Sequence, residues 1–198
     1  MEREDKQLDE RQTRQRRLKP VTAKSLDNAA KFYLERFAAS TAKLRATLTR
    51  KVERTRRRGG TVLDNAAQAI EAIIDRYVKA GLLNDQSYAD MKAVSLRRRG
   101  DSARRIRLKL KMAGIDDDGA GAALAQAAGE KGDDDRLSEL RAALRLAERR
   151  RLGPYRPAAK RKEMRQRDIA ALARGGFSPD VARRVIDAPD PDTLLELD

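Results

Sequence analysis

The 198-residue sequence contains no cysteine, no histidine and no tryptophan, and only 4% of its residues are aromatic. These absences exclude disulfides, zinc sites built from cysteine and histidine, thiol nucleophiles and the usual histidine general base. The serine and threonine hydroxyls have no histidine to activate them, so we find no catalytic constellation and expect a protein that is not an enzyme. Because large side chains are scarce, the chain cannot fill one thick core, whereas alanine-rich helices can pack in thin seams.

The sequence also lacks the patterns of a membrane span, a metal site and a cofactor-binding loop. No apolar run is long enough to span a bilayer, and the charged N-terminal segment lacks the apolar stretch of a signal peptide. Gly59-Gly60 and Gly175-Gly176 have no following lysine and do not form a phosphate loop. Asp116 to Asp118 and Asp133 to Asp135 stand at expected helix starts, which favours capping over Mg²⁺ ligation. We therefore expect a cytoplasmic protein with no cofactor, no metal and no membrane partner.

Positive charge is what the sequence has in excess. It contains 45 lysine and arginine residues against 31 acidic residues, for a formal net charge of +14. Such an excess favours salt-dependent binding to polyanions, or to an acidic partner, and says nothing about the fold. The scarcity of aromatic residues argues against a single-strand binder that works by base stacking.

Apolar residues recur with helical spacing along most of the chain, and no segment has the pattern of a strand. The first predicted helix carries a stripe from Leu26 to Phe37, with Thr22 or Ser25 as its cap. Ser40 or Thr41 is expected to begin the second helix, Thr61 or Asp64 the third, Asp85 the fourth, and Asp101 or Ser102 the fifth. Ser178-Pro179-Asp180 is typical of a helix start with proline at the first position.

The pattern repeats along the chain. Leu48, Leu110 and Leu172 follow one another at intervals of 62 residues, and Ser40 and Ser102 are separated by the same interval. We therefore predict an all-α fold made of three tandem three-helix repeats. The predicted segments are a disordered or frayed charged extension at 1–20, repeats at 21–81, 82–130 and 131–188, and an acidic C-terminal tail at 189–198.

The basic residues fall into three clusters, two of them mainly on or beside the middle helix of a predicted repeat. We expect these clusters to contact a partner or DNA through Lys43 and Arg45 in the first, Arg97, Arg98, Arg99, Arg104, Arg105 and Lys111 in the second, and Arg165 and Arg167 in the third. Any single residue among them is better explained as part of a solvated helix face or as a charge at a helix C-terminus.

The helix predicted from Ser102 to Ala113 supports a sharper hypothesis. If Ile106 and Leu110 face inward, the helical period places Leu108 and Met112 on the opposite face, flanked by cations. An apolar pair surrounded by cations is typical of a protein-binding face. The alternative is that this helix packs against a second neighbour, which would bury Leu108.

Several motifs closely resemble the RecX family of bacterial regulatory proteins. The resemblance covers roughly residues 25–186, leaving out the N-terminal extension and the tail. Its motifs are Gly81-Leu82-Leu83-Asn84-Asp85-Gln86-Ser87-Tyr88-Ala89, then Arg98, Gly100, Arg104-Arg105-Ile106, Leu110 and Gly114-Ile115, with Ser40, Lys43-Leu44-Arg45 and Leu48 before them and Arg174-Gly175-Gly176-Phe177-Ser178 near the C-terminus.

The resemblance implies more than charge and periodicity do. It implies an elongated, curved array of three tandem three-helix units that lodges in the groove of the RecA recombinase filament on DNA. The implied consequence is inhibition of strand exchange, ATP hydrolysis and co-protease activity, or disassembly of the filament. Direct binding to single- and double-stranded DNA is also implied, as a secondary activity, and we expect the protein to be a monomer.

Two other binding functions remain open at this level. A general nucleic-acid-binding or ribosome-associated protein would use the same basic clusters, and its affinity would fall steeply with salt. A helix-turn-helix repressor is compatible with the short turn between Leu96 and Ser102, although most helix pairs with such turns bind no operator.

Overall fold

The computed structural model describes residues 19–128, 135–191 and 194, and this part of the chain is all-α. It contains nine α-helices and one short 3₁₀ segment, Gly153–Tyr155, and its only extended pairing is an isolated parallel bridge between Val21 and Val62. The helices are α1 (Ala23–Leu34), α2 (Thr41–Arg57), α3 (Ala66–Lys79), α4 (Asp85–Arg98), α5 (Ala103–Lys111), α6 (Asp117–Ala128), α7 (Asp135–Arg150), α8 (Ala158–Arg174) and α9 (Pro179–Asp187). The predicted all-α class is therefore confirmed.

Some expectations fall on residues outside this description. They are the charged extension apart from its last two residues, the capping role of Asp133, and most of the acidic tail. By contacts, the chain divides into two compact units, residues 1–85 and 86–198. The two-unit division does not test the three predicted repeats, which stay a prediction.

The first unit is built from α1, α2 and α3 around one apolar core. Its buried residues include Leu26 on α1, Leu44 and Leu48 on α2, and Ile70 and Ile73 on α3. These residues recur with the helical spacing seen in the sequence. With 3.6 residues per turn, that spacing places them on one face of each helix, and this face is buried.

Two local expectations in the first unit were wrong. Phe37 was expected inside, but α1 ends at Leu34 and the Phe37 side chain is exposed, with its ring 5.3 Å from that of Tyr33. α3 begins after Asn65, which makes no side-chain cap hydrogen bond, and begins at neither Thr61 nor Asp64. The fourth helix begins at Asp85, as expected. The Asp85 carboxylate also accepts hydrogen bonds from the Thr41 backbone N–H and hydroxyl at 2.8 Å each, which adds to the Ser40 cap at the start of α2.

The second unit has two apolar cores. In one, α4, α5 and α6 bury Tyr88, Leu96, Ile106, Leu110 and Leu124. In the other, α7, α8 and α9 bury side chains that include Leu140, Leu146, Leu172 and Val185.

Three helix starts, those of α2, α5 and α9, follow the serine pattern. The Ser40, Ser102 and Ser178 side chains each accept a hydrogen bond from the backbone N–H three residues later, at 3.2 Å, and Pro179 opens α9. A serine hydroxyl satisfies one of the backbone donors that a helix start leaves unpaired. The serine caps at these three positions are therefore confirmed.

Gly100 allows α4 to end directly against α7. Its φ is +79°, and a Cβ added there would lie 2.7 Å from the Leu146 backbone nitrogen and 2.8 Å from the Ala142 carbonyl oxygen. Since both atoms belong to the backbone of a helix, neither can give way without moving α7.

We expect Gly100→Ala to lower the free energy of unfolding by at least about 2 kcal/mol, measured by chemical denaturation. Gly59→Ala is the matched control, because Gly59 has a φ of +73° but no atom within 4 Å of an added Cβ. The Gly59→Ala variant should lose only about 1 kcal/mol of unfolding free energy, the cost of placing alanine in the left-handed backbone region. Equal losses in the two variants would show that the contact with α7 contributes nothing.

Asp27 joins α1 to α3 through several hydrogen bonds. Its carboxylate accepts from Tyr77 Oη at 2.8 Å and also pairs with Arg76, and Lys31 lies 2.9 Å away. The hydrogen bond from Lys31, followed by those from Tyr77 and the nearby cations, lowers the pKa of Asp27 against the raising effect of burial. Burial and the Asp27 carboxylate raise the pKa of Tyr77 to about 12, so the hydroxyl remains the donor at neutral pH.

The lowered pKa predicts a pH dependence with a definite sign. The unfolded carboxyl titrates near about 3.9, so its stabilising contacts are fully present above that pH and are lost as the pH falls through the lower folded value. We expect wild type to lose stability more steeply than Asp27→Asn below about pH 4 in denaturation curves recorded at several pH values. Asp64→Asn, at an exposed position, should follow wild type, and a parallel decline in the Asp27→Asn variant would contradict the assignment.

Candidate functional site

Helix α5 is held rigidly on its inner side. Ile106 and Leu110 are fully buried, and Ser102, also fully buried, caps the helix. The Ser102 hydroxyl donates to the carbonyl oxygen of Gly175 at 2.8 Å. This bond fixes the start of α5 against the turn that follows α8, so the outer side of α5 has a defined orientation within the unit.

The outer side of α5 carries the predicted apolar pair. Leu108 is 58% exposed and Met112, the residue that caps the helix, is 80% exposed. Arg104 and Lys111 lie on the same side, since the four positions fall within about one quarter of a helical turn. We call Arg104, Leu108, Lys111 and Met112 the α5 face. The alternative in which Leu108 is buried against a second neighbour is wrong for the described residues.

The cations around the α5 face differ in their pairing. Arg105 lies 3.3 Å from the Asp101 carboxylate, and Lys109 lies 2.6 Å from it, so one acid offsets two cations. Arg104 and Lys111 are exposed and have no ion pair to any residue within the described ranges. The uncompensated charge is therefore concentrated on the same side as Leu108 and Met112.

Arg97 does not belong to the exposed set. It is 5% exposed, and its guanidinium lies 2.5 Å from Glu139 on α7, whose carboxylate also accepts from the Ala103 backbone N–H at 3.1 Å. A buried arginine with a carboxylate partner 42 residues away joins α4 and α5 to α7. Its pairing with Glu139 gives Arg97 a structural role that its position in a basic cluster did not predict, and the expectation that it contacts a partner or DNA stays a prediction.

Arg98 and Arg99 differ from Arg97 in their exposure. Both are exposed at the end of α4, and they border a shallow groove whose apolar side chains are Met91 and Val94. The sequence reading missed this groove, although Met91 lies off the buried stripe of α4 and is 52% exposed. The position of Met91 outside the buried stripe could have indicated this groove from the sequence.

The predicted contact residues of the first unit are largely engaged within it. Arg45 forms two parallel hydrogen bonds to Glu71 on α3, at 2.7 and 2.8 Å, and these bonds lower the pKa of Glu71 and raise the pKa of Arg45. Lys43 is half-buried on α2. Both lie on the same helix, yet Arg45 has a structural partner that its position in a basic cluster did not predict.

The two predicted contact residues of α8 also differ in whether an acidic side chain pairs with them. Arg165 forms parallel hydrogen bonds to Asp187 at 2.6 Å each, which lower the pKa of Asp187. Arg167 is exposed and has no ion pair to the described residues. The basic clusters therefore contain both structural and free cations, which their sequence alone does not separate.

The described residues contain neither a cluster of metal ligands nor a membrane-spanning helix. Within residues 19–128 and 135–191, no three acidic, histidine or cysteine side chains come together as a metal site. None of the described helices combines the length and the apolarity needed to cross a membrane.

Two curated proteins are similar to this chain. The regulatory protein RecX of Myxococcus xanthus (strain DK1622) is 41% identical over 174 residues, which are 87% of this chain and 90% of that protein. This chain belongs to the RecX family. The regulatory protein RecX of Agrobacterium fabrum (strain C58 / ATCC 33970) is 31% identical over 104 residues, which are 52% of this chain and 51% of that protein.

Membership in the RecX family agrees with the motifs read from the sequence and indicates a regulatory role. No family model matches the chain, and no solved structure matches it.

Proposed function

We propose that this protein binds the RecA recombinase filament on DNA and inhibits or destabilises it, lowering strand exchange, ATP hydrolysis and co-protease activity. The observation that carries the proposal is the α5 face in a chain of the RecX family: Leu108 and Met112 are exposed beside two uncompensated cations. The proposal takes the protein to be a cytoplasmic monomer without catalytic activity of its own.

The α5 face has the composition of a protein-binding surface. Apolar side chains that are buried on binding supply most of the affinity, and a charged rim adds orientation and speed of association. Leu108 and Met112 would form the centre, and Arg104 and Lys111 the rim. Because Ser102 and the buried side of α5 already fix the helix, little ordering is needed when the partner binds.

The remaining free cations suit a partner that contains nucleic acid. Arg98, Arg99 and Arg167 are exposed without carboxylate partners among the described residues, and phosphate contacts need no aromatic side chains. A filament of protein on DNA offers both a protein surface for the α5 face and phosphates for these cations.

The proposal extends to the predicted three-helix repeats. If three similar units contacted successive RecA protomers, several modest contacts would combine into tight binding through a high effective concentration. The equivalent caps at Ser40 and Ser102, each fully buried, support equivalent helices at these two positions.

A binding experiment separates the proposal from its main alternative. Fluorescently labelled protein is titrated with preformed RecA filaments on single-stranded DNA and, separately, with the same DNA without RecA, at several salt concentrations. We expect tighter binding to the filament and a weaker salt dependence there, because apolar contacts are not screened. Equal affinity and equal salt dependence for both would contradict the proposal.

The alternative is a general nucleic-acid-binding or ribosome-associated protein. The observation that favours it is the same set of free cations, Arg98, Arg99 and Arg167, which would bind any polyanion. In that case the Leu108 and Met112 side chains would not matter, and bare DNA would bind at least as tightly as the filament.

A further inference from the structure

A cleft in the second unit is lined by four arginines. It lies between the end of α4, the end of α6 and the first turns of α7, and its volume is about 280 Å³. Its polar lining is Arg97, Arg98, Arg141 and Arg145 with Ser138 and Gln126, and no carboxylate is among the described residues that line it. We call it the arginine cleft.

The positive charge of the arginine cleft is only partly offset. Glu139 pairs with Arg97 from behind, at 2.5 Å. Arg145 donates to the Arg97 carbonyl oxygen at 3.3 Å, which orients its guanidinium without neutralising it. Arg98 has no carboxylate partner within the described part of the chain. Like charges held this close repel one another, so an anion between them would stabilise the arrangement.

One of the arginines that line the cleft carries a buried donor that the described residues leave unpaired. Across residues 19–128 and 135–191, the Arg97 Nε is the one buried side-chain nitrogen or oxygen without a hydrogen-bond partner. Buried donors are almost always paired in folded proteins. Ser138, which is 7% exposed, adds a hydroxyl that can donate to an anion.

We propose that the arginine cleft binds a phosphate group, and that the backbone of a nucleic acid supplies it. Guanidinium groups bind the oxygens of a phosphate with paired hydrogen bonds, and the cleft has guanidinium side chains from both α4 and α7 in its lining. The groove lined by Met91 and Val94 adjoins the cleft and shares Val94 and Arg98 with it. The sugar or base next to the bound phosphate lies over this apolar groove.

The side-chain Nε–H signals of arginine in the ¹⁵N-labelled full-length protein test the site directly. Inorganic phosphate is added at constant ionic strength against chloride. We expect saturable shifts of the Arg97, Arg98 and Arg145 signals. The double variant Arg98→Gln, Arg145→Gln should raise the apparent Kd for phosphate about tenfold or more.

The matched control is Arg149→Gln, Arg150→Gln, which removes two exposed charges from the same helix but outside the cleft. It should bind phosphate as wild type does. Should the double variant in the cleft lose its helical circular dichroism, the single variant Arg145→Gln, at an exposed position, replaces it. Equal weakening by control and cleft variants, or shifts that do not saturate, would overturn the site.

A single-stranded oligothymidylate then distinguishes the source of the phosphate. We expect it to shift the same three arginine signals, and inorganic phosphate to compete with it. Binding of phosphate without any effect of the oligonucleotide on these signals would overturn the nucleic-acid assignment. Because neither titration contains RecA, a negative result here leaves the proposed regulation of the filament to be judged by its own experiments.

Discussion

Replacement of Asp168 by alanine is expected to lower the free energy of unfolding by about 3 kcal/mol. The Asp168 side chain is 2% exposed and accepts hydrogen bonds from the Gly153 backbone at 2.9 Å and from Arg156 Nε and Nη2 at 3.0 and 2.8 Å. These bonds tie the 3₁₀ segment to α8, and they raise the pKa of Arg156. The variant would leave a buried backbone donor and a half-buried guanidinium without their acceptor.

Chemical denaturation followed by circular dichroism measures this loss. Asp187→Ala is the control, because Asp187 forms the same kind of paired hydrogen bonds with Arg165, but at the surface. Exposed ion pairs contribute little, so its effect should be much smaller. Similar losses in the two variants would contradict the structural role assigned to the buried carboxylate.

Introduction of aspartate at both Leu108 and Met112 is expected to weaken binding to the RecA filament by about a hundredfold. The change removes the apolar centre of the α5 face and places two negative charges next to Arg104 and Lys111. Loss of a central apolar contact typically costs about 2 kcal/mol or more per side chain. Since both positions are exposed, helicity and melting temperature should stay close to those of wild type.

Leu82→Asp is the matched control for the α5 face. Leu82 is 63% exposed, comparable to Leu108, but it follows α3 and lies outside the face. It should bind the filament as wild type does. If the α5 variants bound normally, or if they unfolded, the assignment of this face to the partner would fail.

Local patterns predicted much of the fold because they depend on few neighbours. A serine before an apolar stripe identified the caps at Ser40, Ser102 and Ser178, and the helical period identified Ile106 and Leu110 as buried. A cap satisfies donors within its own turn, so no distant residue is needed to recognise it.

The sequence did not predict which side chains would pair across long distances in the chain. Arg97 and Arg98 are adjacent in one run of arginines, yet Arg97 is buried and Arg98 is exposed. The difference comes from Glu139, which lies on α7 and meets only one of the two side chains. The Asp85 carboxylate likewise contacts Thr41, which lies 44 positions earlier in the chain, and no local pattern predicts that contact.

The same limit applies to the candidate site. The helical period placed Leu108 and Met112 opposite the core, but it could not exclude a second neighbour that would bury them, because burial depends on what packs there. The arginine cleft brings together residues of α4 and α7 that are more than 40 positions apart in sequence. No spacing rule within one helix predicts such a cluster.

The most direct test of the central claim is the rate of ATP hydrolysis by a preformed RecA filament on single-stranded DNA after addition of this protein. We expect the rate to fall at protein concentrations well below that of RecA, and to fall much less with the Leu108→Asp, Met112→Asp variant. An unchanged rate at stoichiometric amounts, together with tight binding to bare DNA, would contradict the proposal and favour a general nucleic-acid-binding protein.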